Sequence, residues 1–575
     1  MCSVEGFTGK HDFTIEQFTK FNKCRGPDDT TYFQDSLLSL GHNLLSISPN
    51  STPKRQPWIC PGGEILTWNG EIFGLENNQF DTEAFGEIIS KHSIAKMKHN
   101  INWMGAGVIY DPAKYRLTLF RDHFGVKPLY FIEHQQNIFF SSTARPLYAV
   151  LQSKGIQIQK DKNHFRSFQS NDRHMFGMYT PVNRIQRLSP GQVLVWDVRE
   201  GKFVGEDNLW GQDPKKWNLR MNMNWIPEKL EQKFVKGITE VCNAPGIKKT
   251  ISLSGGLDST LIASIAKDLD NIDVQTVKYE NFTPEQDETI NENMFFEWDL
   301  AKRTAKKFNL PFHTTKYPYD NNKIVKYGQF ALSIPQWDRN RWTTRFANIR
   351  AAADRGSKIY IVGDGADELL TGYNGDYDYF VERKRPKMNK EIIDAYANND
   401  FKWWHLKRVT PHWLFGDDAI NNRLFTRMFQ HVDSFCTTVD HMCGNFGMES
   451  RMPFLHQELA KFLLKIPAVD KLHVPFSYSE NDRHMYKGHY KIMIRDYMKA
   501  YIPMHIRKRH SKIGFSTPWN ARDDARNQAL AKEDWRLLQL QAEKFFNFDV
   551  DFKNEWDDNS ESVNDNSVTV DLSGD

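Results

Sequence analysis

The chain is poor in the features that would commit it to a special environment. Its 575 residues include six cysteines, at positions 2, 24, 60, 242, 436 and 443, scattered without zinc-finger spacing. That excludes a cysteine metal knuckle and argues against a disulfide framework in so large a chain. No apolar run is long enough to cross a bilayer. The start, Met1-Cys2-Ser3-Val4-Glu5, lacks the basic and apolar blocks of a secretion signal. The expectation is a cytoplasmic protein with reduced thiols and no membrane partner. The formal net charge is only +3, too weak a field for a nucleic-acid partner. No internal repeat is present. What remains is ordinary globular material, 40% hydrophobic and 26% charged, long enough for more than one domain.

One stretch stands out for its chemistry. Residues 252–260 read Ser-Leu-Ser-Gly-Gly-Leu-Asp-Ser-Thr, between strand-like Lys248-Lys249-Thr250-Ile251 and an apolar helix-like run from Leu261 to Lys267. A strand–turn–helix aims backbone N–H groups and the positive end of the helix dipole into the turn. Gly255 and Gly256 permit close approach of an anion, and the Ser254 and Ser259 hydroxyls add donors. Asp258 is out of place in an anion nest unless a metal ion lies between it and the anion. Phosphate with magnesium satisfies every residue type, and a plain Gly-rich turn is the bland alternative. The lysine of a Walker loop is absent. The stretch resembles the SGGxDS pyrophosphate loop of ATP pyrophosphatases, which adenylate a substrate and release pyrophosphate. A second buried strand, 359–362, ends in Gly363-Asp364-Gly365-Ala366-Asp367-Glu368. Ligands of open α/β sheets bind at the carboxyl ends of strands. Asp258 on one such end and Asp364, Asp367 and Glu368 on the other are therefore placed to share a magnesium ion, which takes hard oxygen ligands.

Cys2 is the notable residue of the strand-rich amino-terminal half. With Met1 removed, the thiol and a free α-amine of pKa roughly 7.7–8.0 stand on one residue, a nucleophile with its own base. Asn69-Gly70, read as a turn beside an apolar strand, offers a side-chain amide and a backbone N–H for an oxyanion. Helices are expected near 13–22 and 82–91, and Asp81 also reads as the N-cap of the second.

In order and spacing, Met1-Cys2, Arg25-Gly26-Pro27-Asp28, Asn69-Gly70-Glu71-Ile72 and the run from Phe120 to Tyr130 resemble the glutamine-hydrolysing asparagine synthetase family. The later half continues the resemblance in the pyrophosphate loop, in Gly447 to Leu455, in Lys491 to Arg495 and in 512–519. The resemblance implies an α/β and α+β two-domain protein: an N-terminal-nucleophile αββα amidotransferase sandwich, followed by a parallel-sheet ATP-pyrophosphatase-like synthetase domain. The expected segments are 2–200 for the first, a 201–224 linker, 225–548 for the second, and a disordered acidic tail at 549–575.

The resemblance also implies roles. Cys2 attacks glutamine, Asn69 and Gly70 hold the oxyanion, and Glu71 and Asp81 grip the substrate ammonium. Leu253, Ser254, Gly255, Gly256, Asp258, Ser259, Val277, Val362 and Gly363 contact ATP. Asp258 and Asp367 bind Mg2+, Lys491 meets the phosphates, and Asp364 joins Lys491 among the catalytic residues. Glutamine, aspartate and ATP are the implied substrates. The oligomeric state is left open, with a homodimer among the options. Glu449 and Arg451 read as a structural ion pair. The chain departs from the family at Leu44, where an arginine for the glutamine carboxylate is usual, and Lys54 or Arg55 is the expected substitute. Segment 337–345 does not align with the part that reads the acceptor, so other carboxylic acids stay open. An ammonia-dependent enzyme or an interaction protein with a dead glutaminase site also stays open. A base-modifying enzyme acting on nucleic acid is disfavoured by the charge.

Overall fold

The computed structural model describes residues 1–47, 55–75, 80–92, 94, 101–157, 159, 161, 178–180, 182–210, 224–280, 293–318, 343–372, 427–471, 491–508 and 567–570. Lys54, residues 211–223 of the expected linker, the loop 512–519 and most of the expected tail lie outside them.

The amino-terminal half is a sandwich of two antiparallel sheets. One has the order β10-β8-β9-β1-β3-β2, with β1 Ser3–Thr8, β2 Asp29–Gln34, β3 Leu38–Leu44, β8 Tyr130–His134, β9 Asn137–Ser141 and β10 Gln186–Arg187. The other runs β12-β11-β7-β6-β5-β4, with β4 Trp58–Ile59, β5 Ile65–Phe73, β6 Asn102–Asp111, β7 Arg116–Arg121, β11 Gln192–Asp197 and β12 Lys202–Asn208. Val4, Leu38 and Leu40 meet Val108, Leu117 and Leu119 in the core between them. Helices α1 (Ile15–Lys20) and α3 (Arg145–Ser153) cover the first sheet, and α2 (Asp81–Lys91) covers the second. β1 is central and covered on both faces, so it is buried at every position and shows no alternation. Trp68 of β5 stacks on Phe85 of α2 at 4.2 Å. This is the expected αββα arrangement. β12 pairs with β11 across residues expected to form a linker, because Phe203 and neighbouring residues complete that sheet.

The second half is built on a sheet of order β17-β16-β13-β14-β15-β18. Five strands, β13 Lys249–Ser252, β14 Ile272–Glu280, β15 Phe312–Pro318, β16 Ile359–Ile361 and β17 Glu449–Arg451, are mutually parallel. Helices α4 (Pro227–Cys242), α5 (Leu257–Ala266), α6 (Asn293–Phe308) and α7 (Thr343–Asp354) connect and cover them, as the alternation of patterns predicts. α8 (Ala366–Leu369) follows β16. Ser567–Val570, within the stretch expected to be disordered, form β18, an antiparallel edge strand on β15. The alternating Ser-Val-Thr-Val composition suits a strand there.

α9 (Asp433–Gly444) wedges between the halves and is buried at every position except the half-buried Phe435. Its Cys436, Val439, Met442 and Cys443 join the second core. Its polar side docks on the sandwich. Asp433 pairs with Arg187 at 2.6 Å and Arg121 at 2.9 Å, and Asp440 pairs with Arg25 at 2.7 Å.

Candidate functional site

Cys2 precedes β1, whose register with β3 runs Ser3↔Asn43 and Val4↔His42. Opposed residues in an antiparallel pair share a face, so the Val4/His42 face, turned to the second sheet, continues to Cys2 and Leu44. β1 and β3 both pack on β5, which brings Asn69 and Gly70 to the same region. The Leu45 N–H reaches Cys2 Sγ at 3.5 Å. Burial pushes the thiol up and pushes the Met1 α-amine down to about 5. The Met1 side chain is buried in the cluster of Leu45, Phe124, Val126 and Trp210. A Cys2 that carries its own base therefore needs Met1 removed.

Asn69 Nδ2 is buried and has no hydrogen-bond partner among the described residues, a state that asks for a ligand. Asn69-Gly70 is not a turn. It lies inside β5, paired with Ala106 and Gly105, because Trp68 folds over Gly70, where a Cβ would also fall 2.6 Å from the Met104 carbonyl. Asp81 is not an N-cap either. It is the first helical residue after Phe80, and its Oδ1 accepts the Ile72 N–H at 2.9 Å. That bond ties α2 to the end of β5 beside Glu71.

Glu71 is held from the other half of the chain. Arg451 Nη2 donates to Glu71, its Nε donates to Glu449 at 2.9 Å, and its Nη1 donates to the carbonyls of Val241 and Asn243 at 2.9 and 3.0 Å. Burial raises Glu71, with Arg451 opposing and Glu449 and Asp81 adding to the rise. Burial works on Glu449 too, but Lys127 and Arg451 outweigh it and hold that carboxyl at about 2. At Arg451 the two carboxyls are therefore shifted in opposite directions, Glu71 up and Glu449 down. Asp81 is pushed up to about 7, chiefly by burial. Arg451 also reaches the synthetase loop, since its carbonyl accepts the Val362 N–H at 3.1 Å.

The second cluster lies at the carboxyl ends of β13 and β16. Leu253 and Val362 are buried next to the strand ends and Val277 is on β14. Gly255 is left-handed at φ +69°, where a Cβ would meet the Glu297 carbonyl at 2.9 Å, so glycine is required in the phosphate loop. Ser259 Oγ receives the Ser254 N–H at 3.1 Å, and the two hydroxyls lie 3.2 Å apart. Gly256 N–H points to Ser254 Oγ at 3.4 Å. Gly363 passes so near the loop that a Cβ would lie 3.2 Å from Asp258 Cβ. Lys491 Nζ pairs with Asp258 Oδ2 and, at 2.5 Å, with Asp367 Oδ1. Burial would lower this ammonium, but the two aspartates offset it and keep Lys491 charged. Two hard carboxylate oxygens converging on one cation, beside a phosphate loop, fit a magnesium ion that takes its other ligands from phosphate and water. Among the described residues no group of three His, Cys, Asp or Glu side chains forms a closed metal cage.

Asp364 is not with that pair. Arg345 on α7 grips it, Nη1 at 2.8 Å and Nη2 at 3.3 Å. The sequence marked 337–345 only as a region without alignment, so Arg345 was missed. Arg55, an expected substitute for the arginine absent at 44, pairs with Asp29 at 3.1 Å.

No helix among the described residues is long and apolar enough to cross a membrane. The family model for asparagine synthase matches residues 248–566, and that for a glutamine amidotransferase domain matches 1–206. The chain is 24% identical over 514 residues to a putative glutamine-hydrolysing asparagine synthetase 1 of Methanocaldococcus jannaschii, covering 82% of each chain. It is 24% identical over 602 residues to asparagine synthetase 1 of Bacillus subtilis, covering 90% of this chain and 87% of that one. A Penicillium rubens protein named amidase chyE is 25% identical over 61% of this chain and 53% of its own length. With one model matching more than half of the chain and the other its amino-terminal part, the chain belongs to the asparagine synthase family and carries a glutamine amidotransferase domain ahead of the synthase domain.

Proposed function

We propose that the chain is an ATP-dependent asparagine synthetase that hydrolyses glutamine and delivers the ammonia to aspartyl-adenylate. In the first site the Cys2 thiolate attacks the glutamine carboxamide carbon. Asn69 Nδ2 and the Gly70 N–H hold the resulting oxyanion, ammonia leaves, and water releases glutamate from the thioester. Glu71 and Asp81 receive the substrate ammonium. In the second site the glycines and serines of the 254–259 loop cradle ATP while an aspartate carboxylate attacks the α-phosphorus and pyrophosphate departs. Ammonia then attacks the acyl carbon and AMP leaves. Asp258 and Asp367 would hold Mg2+, which neutralises phosphate charge when bound. Lys491 stands beside both aspartates, from where its ammonium would meet the phosphates of bound ATP.

The observation that carries the reading is the convergence of Asp258, Asp367 and Lys491 at two parallel strand ends beside the Ser-Gly-Gly loop. A second reading, amidation of a different carboxylic acid, is favoured by the Arg345–Asp364 pair in a segment that does not align with the acceptor-reading part of the family. Pyrophosphate release, measured with ammonia and a panel of carboxylic acids, separates them. Aspartate as the best acceptor supports the first reading, and release with another acid alone supports the second.

A further inference from the structure

The amino-terminal site presents two carboxylates, Glu71 and Asp81, to its substrate, which suits an amine. An amino-acid substrate also brings a carboxylate, and that group needs a cation. Three cations border the site from inside, and each is held by other groups, although Arg25 Nη1, packed against Gly444 of α9, has no hydrogen-bond partner among the described residues. Arg451 spends its donors on Glu71, Glu449 and two backbone carbonyls. Lys127 Nζ is sealed at 3.3 Å from the Ser450 carbonyl, 3.7 Å from Asp440 and 3.8 Å from Glu449. Arg25 joins Asp440 at 2.7 Å and the Cys2 carbonyl at 3.3 Å.

Arg55 is different. Its side chain is 75% exposed, and among the described residues its ion pair runs through Nε alone, to Asp29 at 3.1 Å. Its position is nevertheless fixed by Gln56. Gln56 Oε1 accepts the Trp68 N–H at 2.7 Å, Gln56 Nε2 donates to Thr82 Oγ1 at 3.1 Å, and the Gln56 carbonyl accepts from Thr31 Oγ1. Trp68 precedes Asn69, and Thr82 follows Asp81. The residue next to Arg55 is therefore clamped between the strand that carries the proposed oxyanion donor and the helix that carries a proposed amine acceptor. Asp29 stands directly opposite Leu44 in the β2–β3 register, and Leu44 continues the face of Cys2. An exposed single-point pair such as Arg55–Asp29 is weak, whereas the guanidinium edge can take a carboxylate through two parallel hydrogen bonds.

From this placement, and resting on the glutamine reading above, we infer that Arg55 binds the α-carboxylate of glutamine, reached from the mouth of the site across Leu44 and held ready by Asp29.

The test uses the full chain with L-glutamine and with its α-amide, which lacks the carboxylate charge. Arg55→Ala is expected to raise the glutamine KM by about tenfold to a hundredfold with a much smaller change in kcat, and to move the KM of the α-amide far less. Leu44→Arg in the Arg55→Ala background should restore most of the loss, because it offers a guanidinium from the opposed strand position. An Arg55→Ala glutamine KM within twofold of the parent overturns the assignment, as does an equal rise for both compounds. If hydrolysis is undetectable, calorimetry of glutamine binding to the full-length Cys2→Ser chain decides: weakening by Arg55→Ala supports the proposal, and absence of binding overturns it. Ammonia-supported pyrophosphate release is read separately, so failure of the synthetase reading is distinguishable from failure of this one.

Discussion

Two carboxylate clusters sit at strand ends in the two halves of the molecule, and each is met by a cation from a distant, later segment. Glu71 is met by Arg451, and Asp258 and Asp367 are met by Lys491. The cations are built differently. Arg451 is fully buried and divides its fork among two carboxylates and two backbone carbonyls. Moving it would leave several buried groups unpaired. Lys491 is a single ammonium on a flexible stem, its backbone is left-handed at φ +54°, and its aspartates keep 24 and 26% of their side-chain surface exposed. The difference teaches that Arg451 is part of the wall between the halves, whereas Lys491 stands where, in the proposed function, Asp258 and Asp367 would hold a metal ion.

The sharpest break in the comparison is chemical. Cys2→Ala is expected to abolish glutamine-dependent product while ammonia-dependent product persists, since the second cluster does not need the thiol. Product assays with each nitrogen source check this, and loss of both from a folded chain contradicts the division of labour. Mass spectrometry of the active chain should also show Met1 removed. Asp258→Asn should cut pyrophosphate release by roughly a hundredfold or more, the scale of several kcal/mol of lost charge stabilisation. A folded variant with undiminished release would remove Asp258 from the chemistry.

The two cations are separated next by stability and metal binding. Arg451→Ala should lower unfolding free energy by roughly 3–5 kcal/mol, because it strands buried carboxylates. Lys491→Met should cost clearly less in urea unfolding, since its aspartates retain contact with water. It should also gain Mn2+ binding without nucleotide, visible by electron paramagnetic resonance. Equal destabilisation by the two variants, or no gain of Mn2+ binding, would erase the distinction. The smallest effect is a pH dependence. Asp81 lies at about 7 and must be ionised to receive an ammonium. Its ionised fraction falls as pH drops through that value, so the glutamine KM should rise roughly tenfold between pH 8 and pH 6. A flat KM profile would show that Asp81 does not bind the amine.

Much of the fold was legible because its signals are local. The Ser-Gly-Gly-Leu-Asp-Ser turn sits between a strand and a helix in the chain itself, and the apolar patterns around it repeat at helical and strand spacing. Locality also misled. Asn-Gly is by composition a turn dipeptide, yet Trp68 packing over Gly70 and pairing with Gly105 and Ala106 hold it extended. Asp81 has the residue type of an N-cap, but the Ile72 N–H claims its carboxylate. Helix α9 has one polar and one apolar face, the pattern of a surface helix, yet its polar face is buried too, against the sandwich.

From the chain order alone come the two-part architecture, the thiol at position 2, the phosphate loop and the pair of acidic strand ends, since each is written within a few neighbouring residues. The charge partners came only with the tertiary structure. Glu71 and Arg451 lie 380 positions apart, Asp258 and Lys491 233, and Arg187 and Asp433 246. No local propensity reports such pairings. They exist because burial makes an isolated charge costly, so whichever opposite charge the packing delivers becomes its partner.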